Sequence, residues 1–124
     1  MGAVTEYIVD QPHRVFQMWQ YGVGMKRLLI RSTKNDTFAS RIDVLFQNVK
    51  AMKVPTLLHG LVVVEADPDQ VVRISKETGL LPDRETIIFS VRSPAYDGYI
   101  VAGVCVQAED EGEYYDPSQL WQDP

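Results

Sequence analysis

The stretch RIDVLFQNV (Arg41–Val49) sets Ile42, Val44 and Phe46 against Arg41, Asp43 and Gln47. A period of two places one row of side chains on each side of an extended backbone, so it predicts a half-buried strand and argues against a helix. Much of the chain repeats this theme in short apolar runs. VFQMWQYG (Val15–Gly22), MKRLLIRST (Met25–Thr33), GLVVVEA (Gly60–Ala66), ETIIFSV (Glu85–Val91) and GYIVAGVCV (Gly98–Val106) read as strands, with VTEYIVD near the start as a further edge strand. Gly22, Gly24, KNDT (Lys34–Thr37) and RSPAYDG (Arg92–Gly98) punctuate the runs. Asn and Asp bond their own main chain and tolerate left-handed backbone, so KNDT predicts a hairpin with a longer loop. Pro94 and Asp97-Gly98 are the turn formers before the last strand.

One segment has helical signals instead. Asp67 can cap, Pro68 suits the first helical position, and Gln70 completes a capping-box spacing. Val71, Ile74 and Thr78 share a face, and Gly79 supplies the stop. The expectation is an α+β domain, a curved antiparallel sheet of five to seven strands with one helix over about residues 68–78 packed on it. The alternative is a barrel-like sheet in which the helix is only a strap. A chain of 124 residues has room for one core. We therefore place a single globular domain at 1–108, with its core in residues 15–106, and a C-terminal tail at 109–124.

Hydrophobic residues make up 45% and charged residues 23%, the composition of a soluble globular protein. The longest apolar runs, Leu61–Val64 and Tyr99–Val106, fall far short of the roughly 20 residues of a membrane-spanning helix. No charged segment followed by an apolar stretch opens the sequence as a secretory signal would. Its single cysteine, Cys105, sits in an apolar strand with no electropositive neighbour and reads as an inert buried thiol. A cytoplasmic location is the expectation.

The catalytic inventory is thin. His13 and His59 lie beside turn residues with no second His or Cys at ligand spacing, so neither zinc nor any other cofactor is expected. There is no phosphate loop, nucleophile elbow or dinucleotide fingerprint. Phe16, Met18, Trp19 and Tyr21 form an aromatic-rich stretch, which is more often core and cross-strand packing than a ligand platform. The enzyme or small-ligand reading requires Trp19, Tyr21, Asp43 and His59 to converge on one pocket inside the curved sheet, with Asp43 and His59 as an acid–base pair. A non-catalytic role is the leading expectation.

The charge is unevenly placed. All 12 basic residues precede position 108, where 11 acids nearly balance them; the other six of the 17 acids lie between Glu109 and Asp123. No basic stripe exists to displace counterions from phosphates, so nucleic acid is not an expected partner. The tract AEDEGEYYDPSQLW (Ala108–Trp121) interleaves acids with Tyr114, Tyr115 and Trp121. Its spacing does not follow a calcium loop. One reading is a solvated terminus that keeps the domain soluble. The other rests on the aromatics, since aromatic anchors flanked by acids are a signature of protein binding. Leu120 and Trp121 are expected to dock on the body with the acids facing solvent. Glu109, Asp110, Glu111, Glu113, Tyr114, Tyr115, Asp116 and Trp121 are therefore the candidate contacts for a basic protein partner. Edge strands from IIFSVRS or VTEYIV would offer a route to a homo-oligomer.

The segment RLLIRSTKNDTFASRIDVLFQNVKAM…VPTLLHGLVV (Arg27–Val64), about a third of the chain, resembles small bacterial immunity-type proteins that accompany polymorphic toxins. The shared features are the strand–turn–strand order and the F-x-x-V step at Phe46–Val49. The resemblance implies a cytoplasmic protein that binds and blocks a toxin domain. It carries no catalytic residue across.

Overall fold

A computed structural model describes residues 6–121. It contains β1 (Tyr7–Gly22), β2 (Arg27–Ser32), β3 (Arg41–Gln47), β4 (Ala51–Lys53), β5 (Leu57–Glu65), α1 (Pro68–Thr78), β6 (Ile87–Ser93), β7 (Tyr96–Ala102) and β8 (Val104–Asp110). The eight strands form one antiparallel sheet in the order β4-β7-β6-β5-β1-β2-β3-β8, more strands than the five to seven expected. The surplus has a local cause. Residues 41–53 and 96–110 form two long ribbons side by side, and each is broken at the same level. Asn48 takes a left-handed φ of 56°, and across from it Gly103 N–H donates to the Gln47 carbonyl at 2.9 Å. One pair of ribbons thus becomes β3 with β8 and β4 with β7. The sheet is open, yet its two edge strands belong to chain segments that run on into each other's partners.

This arrangement forces the sheet to curl. Phe46 on β3 and Phe89 on β6 are four strands apart, about 19 Å in a flat sheet. Their rings meet edge to face at 5.5 Å. Around them Val9, Phe16, Leu28, Ile30, Val44, Leu61, Val63, Val91 and Ile100 fill the concave side. The core begins before residue 15, since Val9 is fully buried. At one end, the Arg14 guanidinium stacks 4.4 Å over the Phe38 ring and donates to Ser32 Oγ at 3.0 Å and to the Ser40 carbonyl at 2.6 Å.

The helix forms where its signals lie. Asp67 and Gln70 make a reciprocal capping box with both bonds at 2.9 Å, and Gly79 ends the helix at a φ of 75°. Ile74 packs on the convex face against Ile88, Tyr99 and Val101, so α1 has its own small core and is more than a strap.

Several boundaries differ from the sequence reading. The β6–β7 turn closes over Pro94-Ala95, and Asp97-Gly98 falls inside β7. IIFSVRS is not an edge, because β6 pairs with β5 on one side and β7 on the other. Of VTEYIV, Val4 and Thr5 lie outside the described residues. From Tyr7 the segment is not a separate edge strand but the first part of β1, which continues to Gly22 and pairs with β5. The division after Ala108 falls within β8.

Candidate functional site

The two faces of β2 and β3 differ sharply. Leu28, Ile30, Val44 and Phe46 point to the concave core, so the intervening Leu29, Arg31, Asp43 and Leu45 point outward, yet all four are 1% exposed or less. Outward residues can be this buried only beneath a cover. After Asp110 the chain reverses and lies over this convex face.

Two arginines hold it there. Arg41, 2% exposed, forms a two-pronged pair with the Asp110 carboxylate at 3.0 and 3.1 Å. The same guanidinium donates to the carbonyls of Glu113 (2.9 Å), Asp116 (2.7 Å) and Pro117 (3.2 Å). A planar fork with five N–H donors suits this task in a way that a lysine ammonium does not. Gly112 lets the chain pass, since a Cβ there would lie 2.5 Å from the Arg41 guanidinium. Arg31 binds both Asp43 oxygens at 2.7 and 3.1 Å and uses its remaining reach to donate to the Tyr114 carbonyl at 3.0 Å. Lys34 adds a more exposed bond to Glu113 at 2.6 Å.

Aromatic contacts fix the same segment. Trp19 meets Tyr114 edge to face at 4.9 Å, Tyr114 meets Tyr115 at 4.6 Å, and Arg31 lies 5.0 Å over the Trp19 ring. Further along, Trp121 covers Arg27 at 4.1 Å and sits where a Gly22 side chain would otherwise be. Residues 111–121 are therefore a strap belonging to the fold.

The strap leaves particular groups outside. Tyr115 is 84% exposed although its neighbours' backbone is pinned. Glu109, Glu111, Glu113 and Asp116 are exposed around it. Ser40 donates to Glu109, and the Asp116 carboxylate accepts from Glu113 N–H at 2.8 Å. Of the five carboxylates from Glu109 to Asp116, Arg41 and Lys34 answer two, and the acidic balance persists. The hydrogen bond from Arg41, together with Gly112 N–H, holds the Asp110 carboxyl below the ordinary carboxylate range.

The other candidate constellation is dispersed. Asp43 lies on β3 and His59 on β5, with β1 and β2 between them. Asp43 is engaged by Arg31, and His59 is exposed beside Val15. Trp19 stands at a bulge in β1 and joins the strap, whereas Tyr21 lies near the strand end and is 44% exposed. These four do not line one cavity, and the concave interior is filled by Leu, Val, Ile and Phe. Burial pushes the Cys105 thiol up to about 12, so it stays protonated. Among the described residues, no group of three or more His, Cys, Asp or Glu is placed to hold a metal.

Sequence reasoning missed Arg31, Arg41 and Lys34. A signal was present: Arg31 interrupts the apolar strand RLLIRS on the parity that Arg41 and Asp43 occupy in the next strand. Their strap partners lie more than 60 residues away, and no local pattern identifies them. No protein-family model matches this chain, no curated protein matches its sequence, and no solved structure matches its fold.

Proposed function

We propose that the protein is a non-catalytic protein-binding module that presents the edge from Glu109 to Asp116 to a basic partner. The carrying observation is the pairing of an 84% exposed Tyr115 with a backbone fixed by two buried arginines. An aromatic ring held out on an ordered loop has little entropy left to lose on binding, which is the condition for an anchor. The surrounding Glu109, Glu111, Glu113 and Asp116 would steer a positively charged surface towards it. Asp110 and Trp121, candidates for contact on sequence grounds, support the edge from behind. The resemblance of Arg27–Val64 to immunity-type proteins supplies the partner class, a toxin domain whose basic cleft the acidic edge would occupy. Its place of action would then be the cytoplasm.

The test is binding to the proteins encoded beside this gene, measured kinetically at two salt concentrations. Tyr115→Ala should raise the dissociation rate by the equivalent of about 2 kcal/mol. Glu111→Lys should lower the association rate, most at low ionic strength. Absence of binding to any neighbour-encoded protein would remove the immunity reading. Unchanged affinity in both variants would remove this edge as the contact surface.

A further inference from the structure

A second feature lies on the convex face away from the strap. A groove of about 390 Å³ runs over β1, β5 and β6, above the lower bound of roughly 300 Å³ typical of small-ligand sites. Its floor is Val62 and Val64. One end is closed by Pro12 and Pro94, which converge on Gly60 so tightly that a Cβ there would lie 2.6 Å from the Pro12 carbonyl oxygen and 3.2 Å from Pro94 Cδ. Proline has its φ fixed by the ring, so this wall is rigid. Tyr7 lines the groove as well.

Two opposite charges flank the floor. Asp10, Val62 and Arg92 are successive cross-strand neighbours, so the acid and the base stand on one face two strand spacings apart, about 10 Å between backbones. Arg92 is aimed from the helix side. Its Nε donates to Ser90 Oγ at 3.0 Å, and that hydroxyl also accepts from the capping-box residue Gln70 at 3.3 Å. Among the described residues, the Arg92 side chain has no other hydrogen bond or ion pair, even with its cross-strand neighbour Asp97, and the Asp10 carboxylate has none. An oriented guanidinium and a carboxylate separated by an apolar floor complement a molecule with the reverse arrangement.

We propose that this groove binds a small zwitterion of the ω-amino-acid class. The ligand carboxylate pairs with the Arg92 guanidinium, the ammonium pairs with Asp10, and the methylene chain lies on Val62 and Val64. Both charges are needed because Asp10 and Arg92 are exposed, so each contact is screened by water and weak alone. The site is independent of the strap and of the partner-binding reading.

The probe is 6-aminohexanoate, compared with hexanoate and hexylamine, which each keep one charge on a similar chain. Amide shifts of Val62, Val64 and Arg92 in isotopically labelled protein report binding at the groove itself. The zwitterion should give saturable shifts with a Kd on the order of 1 mM, and each single-charge analogue should bind about tenfold more weakly. Arg92→Gln should reduce the zwitterion to the affinity of hexylamine, and Asp10→Asn to that of hexanoate. Both positions are exposed, and an unchanged melting temperature verifies the fold. The proposal is overturned if 6-aminohexanoate gives no saturable shift at these amides up to about 20 mM. It is equally overturned if either analogue binds as well as the zwitterion, or if neither substitution weakens binding.

Discussion

Arg31 and Asp43, each 1% exposed, carry the inner layer beneath the strap. Removing one member strands the other without its counter-charge, so Asp43→Ala should cost about 3–5 kcal/mol in urea unfolding. Replacing both by apolar residues of similar volume should recover much of that loss, because the pair's attraction is largely spent against its own desolvation. Asp110 behaves differently because it titrates. Its folded carboxyl ionises below the ordinary value, first through the Arg41 hydrogen bond. The stability it contributes is therefore complete above the unfolded value of about 3.9 and is lost as pH falls through the folded value. The difference in urea midpoint between the native protein and Asp110→Asn should shrink between about pH 5 and about pH 3. A difference that grew on acidification would mean that the Arg41 bond is not the source of the shift.

At the scale of elements, legibility tracked how local the determining physics is. The helix was readable to its ends because Asp67, Pro68, Gln70 and Gly79 all act within a few residues. Asp67→Ala should accordingly cost about 1 kcal/mol, measured by thermal melting, with the loss confined to α1 and its contacts to Ile88 and Tyr99. Strand identity was also readable, from period-two patterns such as Arg41–Gln47. Strand number was not. Whether residues 96–110 make one strand or two depends on where Gly103 meets Gln47, a contact across the sheet. The edge assignment failed for the same reason: IIFSVRS has the composition of any strand, and only pairing partners distinguish a central strand from an edge. In the candidate site, the aromatic and acidic residues were visible from sequence. What they dock on was invisible, since Arg31 reaches Tyr114 across 83 positions.

At the scale of the molecule, the tract from Glu111 to Trp121 has two roles that can be separated, and truncation after Asp110 tests the first. Without the strap, Leu29 and Leu45 lose their cover, Trp19 loses Tyr114, and Arg27 loses the Trp121 ring. The arginine forks would find water in place of four carbonyls, so most of the cost comes from apolar and aromatic area. Re-exposing about two large side chains and one ring pair amounts to roughly 3–5 kcal/mol. In a domain of this size that lowers the melting temperature by roughly 10 °C or more. Tyr115→Ala is the counterpart. At 84% exposure its ring contributes little to folding, and its melting temperature should stay close to that of the intact protein. If truncation leaves the melting temperature unchanged, the strap is not a layer of the fold, and the fixed backbone on which an anchoring Tyr115 depends is lost with it. If Tyr115→Ala melts as early as the truncated protein, the ring is a packing residue, and the exposed edge has no free anchor to offer a partner.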